Sequence, residues 1–174
     1  MPAKTSRSLR PRAWRLATDP YLMPHHQETR ILPYTAEEMY AVVADIERYP
    51  EFLPWCAQVT VRKRETEGHV ELVTAAMRIA FHAFHERYVS LVRLDRSAHT
   101  IEARHVEGPF QRLDTRWRFV PLDAGSEVHF LIDFAFKSML LSAVAGVAFG
   151  FVAAKMAEAF VQRAHGLYGT SRTA

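Results

Sequence analysis

The chain has 174 residues, of which 49% are apolar and 24% charged, so it is long enough for one globular domain with a buried core. Its single cysteine excludes an internal disulfide and a metal site built from several thiolates, and a reducing compartment is expected. Five of the 22 basic residues and one of the 19 acidic residues precede residue 23, which leaves 17 basic and 18 acidic residues in the rest. A folded body with that balance is not an obvious polyanion binder.

The first 22 residues are rich in arginine and serine and poor in acids, a composition typical of a mitochondrial transit peptide. The segment is short and has no clear amphipathic repeat, so a flexible tail, or a translation start at Met23, is the preferred interpretation. We therefore expect a basic tail at residues 1–22, a folded domain at residues 23–169 and a flexible C-terminus at residues 170–174.

The domain is expected to begin with a strand at residues 26–32 and a helix. Thr35 and Glu38 predict the start of that helix as a capping box, in which the threonine oxygen accepts from the amide of Glu38 and the glutamate reaches back to the threonine amide. Pro50 disfavours helical geometry at Tyr49, so the helix is expected to end or bend there.

The connector DIERYPEFLPWC, residues 45–56, carries two prolines, three aromatic residues and the only cysteine of the chain. A short helical turn around residues 51–53 is expected to stop before Pro54. Such a stiff apolar segment is either a plug between helix and strand or a lid over a ligand. Cys56 is expected to be a small buried residue, because nothing near it in the sequence would stabilise a thiolate.

Residues 59–136 alternate between apolar and polar side chains, with turn signals near residues 67–68, 96–97, 107–109 and 123–125. This pattern predicts six antiparallel strands. The alternation is clearest where Leu113, Trp117 and Phe119 share one face while Arg112 and Arg116 occupy the other. One face of the sheet is therefore expected to be buried and the other exposed to solvent.

The last element is predicted as a long helix at residues 138–166. Its second half is amphipathic, with Lys155, Glu158 and Gln162 opposite Ala153 and Phe160. Traced backwards, the polar stripe becomes apolar, running through Leu140, Val144, Val147 and Phe151. Seven strands, a helix pair after the first strand and this long helix together predict an α+β fold in which the sheet wraps the helix.

The uncharged stretch of this helix, residues 139–154, is shorter than the roughly 20 strongly apolar residues that a membrane span needs. We therefore expect the apolar outer face to contact a membrane surface, a partner subunit or a ligand.

Signatures of chemistry are weak. His82 and His85 are three apart in an expected strand, so they would point to opposite faces and could not share a metal ion. Glu86, Arg87 and Tyr88 are the first suspects for a cyclase-like reaction, although an outward Glu and Arg flanking a cross-strand tyrosine is the preferred interpretation. The arginines of residues 111–119, interleaved with acids, are expected to form a solvated face rather than an RNA surface.

Several spaced segments, VADIERYPEFLPWC, HERYVSLVRL, GPF, LDTRWRF and KMAEAFVQRAHGLYG, resemble the coenzyme Q-binding START-domain proteins. These group with the polyketide cyclase-like helix-grip fold and include bacterial ribosome-association toxin homologues. The resemblance covers residues 23–169. It implies a helix-grip (START/Bet v 1-like) fold, with a curved seven-stranded antiparallel sheet around the C-terminal helix and a lipophilic cavity between them.

The resemblance further implies a non-catalytic protein that binds or chaperones ubiquinone or another prenyl lipid and supports respiratory electron transport, with the lipid as ligand and with no cofactor or metal. Peripheral membrane contact and respiratory-chain partners are expected, on the inner face of the bacterial inner membrane or on the matrix side of the mitochondrial one. The alternatives are a ribosome-associating toxin-like protein and a polyketide cyclase or aromatase. The expected lid and cavity residues are Tyr49, Phe52, Leu53, Pro54, Trp55, Phe84, Trp117, Phe130, Phe134, Phe149 and Met156.

Overall fold

The structure is a computed structural model that describes residues 25–81 and 84–169, with the side chains of residues 81, 84 and 143–150 outside the description. Seven antiparallel strands form one sheet in the order β1-β7-β6-β5-β4-β3-β2. The strands are β1 (His25–Leu32), β2 (Cys56–Glu67), β3 (Val70–Phe81), β4 (Phe84–Asp95), β5 (Thr100–Glu107), β6 (Phe110–Leu122) and β7 (Gly125–Phe136). The helices are α1 (Ala36–Ala44), α2 (Tyr49–Phe52) and α3 (Met139–Tyr168). This architecture confirms the predicted α+β helix-grip arrangement.

The capping box at the start of α1 is confirmed. The amide of Glu38 donates to the Thr35 hydroxyl at 3.1 Å, and the amide of Thr35 donates to the Glu38 carboxylate at 2.7 Å. Two orphan amides at the helix start are thereby satisfied.

The expectation that the first helix ends or bends at Tyr49 is wrong. α1 ends at Ala44, because Asp45 leaves the helical region with a ψ of 63°. Tyr49 itself is helical, with φ −53° and ψ −38°, and Pro50 lies in the first turn of α2. Proline fits there because the first turn of a helix needs no intrahelical amide donor.

The core lies between the sheet and the second half of α3. Ala153, Ala157 and Ala164 are buried and let the helix approach the strands closely. The ring of Phe160 meets Trp117 at a centroid distance of 5.1 Å, and Trp117 stacks on Phe130 at 4.2 Å. A pocket of about 10 Å³ lies between these elements beside Trp117, Phe130 and Phe160, and it is no larger than a single water molecule needs.

Polar contacts also fix this half of α3 to its neighbours. They join α3 to β1, to α2 and to the segment before α1. The pairs are Arg30 with Glu158 (2.8 Å), Glu51 with Arg163 (2.8 Å) and Tyr34 with His165 (3.0 Å). Apolar packing and ion pairs thus hold the same stretch of helix.

Candidate functional site

A groove of about 690 Å³ runs between the connector and the outer face of α3. The connector contributes Phe52, Pro54 and Trp55, and the helix contributes Phe151, which is 63% exposed. The stiff apolar connector and Phe151, the last residue of the predicted apolar outer face, therefore meet in one groove. The rest of its helix wall comes from residues 155–167, which include Lys155, Glu158, Gln162 and Arg163. Its volume lies within the range of small-molecule sites, roughly 300–1,000 Å³.

The connector is held in place from both ends. The amide of Leu53 donates to the Tyr49 carbonyl at 2.8 Å, which closes the short helix α2. The amide of Ala80 donates to the Trp55 carbonyl at 2.9 Å, which ties the connector to the end of β3. Phe52 packs edge-on against Phe160 at 5.3 Å. The groove wall is thus a fixed part of the fold.

The charged residues at the groove rim are mostly paired with one another. Hydrogen bonds from Gln162 and from Arg30 hold the pKa of Glu158 below its usual value. Arg163 binds Glu51 and lies 5.4 Å from the centre of the Phe52 ring.

Lys155 differs from the other charged residues at the groove rim because it forms no salt bridge with a described residue. Its ammonium lies 5.7 Å from the centre of the Phe151 ring, and no carboxylate of the described residues lies within ion-pair distance of it. The rim therefore offers one cation without a salt bridge beside an apolar wall.

The inner face of the sheet is less covered at the end where α3 begins. There the Lys137 amide donates to the Pro109 carbonyl at 2.9 Å, which brings the helix start to the β5–β6 turn. At that end five inward-facing residues are only half-buried, although Phe110 and Phe134 beside them are buried, whereas the inward-facing residues under the second half of α3 are buried. The half-buried residues are Tyr88, Ala103, His105, Leu113 and Thr115.

Comparison with known proteins agrees with this architecture. Residues 32–161 match the family model described as polyketide cyclase / dehydrase and lipid transport. The chain belongs to this family. Among the described residues, no helix is long and apolar enough to cross a membrane.

Relatives within the polyketide cyclase and lipid transport family carry different names. The chain is 30% identical over 138 residues to the ribosome association toxin RatA of Rickettsia prowazekii, covering 79% of this chain and 94% of that one. It is 33% identical over 149 residues to the coenzyme Q-binding protein COQ10 homolog B, mitochondrial, of Xenopus laevis, covering 83% of this chain and 59% of that one.

Solved structures support the same family fold. Protein CC1736 from Caulobacter crescentus is 35% identical, with a TM-score of 0.71, and the match covers 84% of this chain and 99% of that one. A START superfamily protein from Mycobacterium smegmatis is 18% identical, with a TM-score of 0.67 over 82% of this chain and 98% of that one, which shows the shared fold alone.

The structure places the predicted cavity residues of this family member in three settings. Trp117, Phe130 and Phe134 are buried. Trp117 and Phe130 line the pocket of about 10 Å³, which is large enough for one water molecule. Met156 is half-buried beside them. The side chains of Phe84, Phe149, Val144 and Val147 lie outside the description, so their roles stay predictions.

The predicted residues of the connector and of the outer helix face differ in how exposed they are to solvent. Tyr49 and Phe52 are half-buried, Leu53 and Trp55 are buried, and Pro54 is exposed. On the helix, Leu140 is 75% exposed and shares a stripe with Phe151, three turns further along. The apolar outer face is therefore open to solvent at both of its described positions.

The expected outward position of Glu86 is wrong. Tyr88 lies on the inner face of the sheet, where its hydroxyl donates to the Met77 sulfur at 3.1 Å. Side chains two apart on a strand share a face, so Glu86 also points inward, where it is half-buried, and only Arg87 points out.

The described residues offer little support for a nucleophilic cysteine or a metal site. Cys56 is 4% exposed, as predicted, and burial raises the pKa of its thiol to about 11. No cluster of three or more metal-ligating side chains occurs in the part of the chain that the structure describes. His82 lies outside that part.

The predicted solvated face on β6 is confirmed. Arg112 binds Asp133 at 2.7 Å and Arg116 binds Glu102 at 3.0 Å. These arginines are neutralised within the protein and are poor candidates for phosphate contacts.

The sequence pattern missed the rim residues Lys155 and Arg163 as part of a site, because helical periodicity assigns them only to a solvent face. Nothing local shows that the connector folds against that face. His105 was also missed, since one histidine on a strand carries no recognisable motif.

Proposed function

We propose that the protein binds a prenyl lipid of the ubiquinone type without chemical change and presents it at a membrane. The observation that carries this proposal is the groove between the connector and α3, which has the aromatic connector on one side and Phe151, Ala159 and Leu167 among the residues on the other. Burying a few hundred Å² of isoprenoid surface at roughly 25 cal/mol per Å² contributes several kcal/mol before ordering costs.

The relatives support binding over catalysis. One relative is named a coenzyme Q-binding protein, and the family model is described in part by lipid transport. A cyclase would instead need a polar group positioned in the cavity, and Glu86 is the first candidate. Turnover of a poly-β-ketone that is lost in Glu86→Gln would contradict the binding proposal.

We further propose that the outer face of α3 touches the membrane surface. Leu140 and Phe151 are exposed on one stripe, and Lys155 follows one turn after Phe151. A lysine beside exposed apolar residues suits the boundary between headgroups and acyl chains. We propose the inner face of a respiratory membrane as the site of action, where the bound quinone would serve electron transport.

Mass spectrometry of an organic extract of the purified protein tests the proposal. We expect a prenyl quinone or a related prenyl lipid in about stoichiometric amount. Protein that contains no such lipid and does not take up added ubiquinone would contradict it.

A matched pair of variants locates the site. Phe151→Glu should lower both quinone uptake and liposome association several-fold, because it places a charge in the groove wall. Ile31→Glu changes an equally exposed apolar residue on β1, 73% exposed and outside the groove, and should change neither. Equal effects of the two variants would contradict the assignment.

Ribosome binding is the second candidate, because the Rickettsia prowazekii relative is named for ribosome association. Arg78 and Arg87 face each other across β3 and β4, both exposed, and no carboxylate of the described residues lies within ion-pair distance of either. Co-sedimentation with ribosomes that falls steeply with salt and is lost in the Arg78→Gln/Arg87→Gln double variant would favour this candidate.

A further inference from the structure

The inner face of the sheet contains a buried polar atom that the fold does not use. His105 lies on β5, and its Nε2 nitrogen is shielded from solvent without a hydrogen-bond partner among the described residues. Buried polar groups are nearly always hydrogen-bonded, so such an exception requires an explanation. The nitrogen lies at the less covered end of the inner face.

The surroundings of His105 are aromatic. The ring of Phe110 lies 5.9 Å from the imidazole and 5.4 Å from the ring of Tyr88. The side chains of residues 143–150 fall outside the description, but by sequence they are only alanine, valine, glycine and phenylalanine. None of these eight residues can supply a side-chain partner for Nε2; His82 and Ala83 also lie outside the description.

We propose that His105 binds the oxygen-bearing head of the lipid through Nε2. This inference rests on the proposed function and adds a polar contact for the same lipid on the inner face of the sheet, outside the set of residues that line the groove. A neutral imidazole nitrogen can donate to a ring carbonyl, as in a quinone, or accept from a ring hydroxyl, as in a quinol. The ligand class is therefore a prenyl lipid whose ring carries carbonyl or hydroxyl oxygens, bound with its head against Phe110 and Tyr88.

Other polar groups are less suited to this contact. Glu158 and Arg163 at the groove rim are held by Arg30 and Glu51. Lys155 is exposed and remains hydrated, so it gains little from one neutral carbonyl. A desolvated nitrogen without a partner gains most, because the ligand oxygen replaces a missing hydrogen bond.

The test compares two ligands on three proteins. A short-chain ubiquinone and a prenyl hydrocarbon of equal chain length compete against a fluorescent prenyl probe on the wild type, on His105→Leu and on His105→Gln. We expect His105→Leu to bind the quinone about threefold to tenfold more weakly and the hydrocarbon unchanged. His105→Gln, which keeps a donor, should recover most of the quinone affinity.

The outcomes separate the two proposals. Equal quinone affinity in the wild type and His105→Leu, or an equal loss for both ligands, overturns the role of His105 while lipid binding stands. A wild type that binds neither ligand overturns the proposed function and this inference with it.

Two further measurements distinguish binding from a structural role. The unfolding midpoint of His105→Leu should equal or exceed that of the wild type, because the substitution removes a buried nitrogen without a partner. The ¹⁵N resonance of Nε2 should shift on addition of the quinone and stay in place with the hydrocarbon. A lowered midpoint together with an unmoved resonance would make His105 a structural residue.

Discussion

The two halves of α3 differ in what they contact. From Ala153 to Ala164 the helix is packed on the sheet, with a pocket of about 10 Å³ between them, and it is bound by ion pairs to β1 and α2. Towards its start, Leu140 and Phe151 are exposed, and several residues on the inner face of the sheet are only half-buried. The second half of the helix therefore has one face buried on the sheet and an outer face on the groove, whereas the start of the helix is exposed at its described outer positions.

This division explains how the domain retains an apolar site without collapsing. The face of α3 that packs on the sheet supplies burial that folds the chain, so the outer face that lines the groove need not be covered. The connector is fixed by Leu53 and Trp55 and keeps the groove open. Stability and binding should then respond to different residues of the same helix.

The largest expected difference is between two phenylalanines of α3. Phe160 is 2% exposed and Phe151 is 63% exposed. Phe160→Ala should lower the free energy of unfolding by about 3–5 kcal/mol through the cavity it leaves. Phe151→Ala should lower it by less than about 1 kcal/mol. Urea unfolding of both variants measures the two free energies. Similar losses of free energy in Phe160→Ala and Phe151→Ala would contradict the distinction between the packed and the exposed parts of α3.

A smaller effect is expected from the ion pair that binds the packed half to β1. Glu158→Gln should cost about 0.2–1 kcal/mol at pH 7, since the Arg30–Glu158 pair is partly exposed. The folded-state pKa of Glu158 is lowered from about 4.5, so its contribution is present above that pH and is lost as the pH falls through the folded value.

Urea unfolding of the wild type and of Glu158→Gln between pH 3 and pH 7 measures this pH dependence. The free energies of unfolding of the two proteins should converge as the pH falls towards 3. Glu65→Gln is the matched control, because Glu65 pairs with Lys63 on β2 at 2.8 Å and touches no helix. A difference that persists at pH 3 would show that the ion pair is not its cause.

The smallest stability effect is expected at the start of α3. Leu140→Gln should change the free energy of unfolding by less than about 0.5 kcal/mol, because the side chain is 75% exposed. It should nevertheless lower liposome flotation. A clear stability loss with unchanged flotation would mean that this face packs within the protein or against a second copy.

Much of the fold follows from local patterns. The alternation of β6 and β7, the capping box at Thr35 and the spacing of Ala153, Ala157 and Phe160 are short-range signals, and the structure confirms them. The helix boundary at Asp45 was missed because proline in a first helical turn looks, in sequence, like a helix break.

The site was harder to predict because it is assembled from distant segments. Periodicity identified the apolar outer face of α3 and the apolar connector, but not their meeting in one groove. It also could not show that His105 lacks a partner, since that depends on every residue packed around it. Long-range contacts decide both features.

Photolabelling with a photoreactive prenyl quinone tests the central claim most directly, with the labelled peptides identified by mass spectrometry. Labels displaced by free ubiquinone should fall on the connector, residues 49–55, on β5 near His105 and on the groove-lining face of α3 between Phe151 and Leu167. None should fall on the face of the helix that packs on the sheet, which consists of Ala153, Ala157, Phe160 and Ala164. Displaceable labels confined to that packed face, or no displaceable labels at all, would contradict the account.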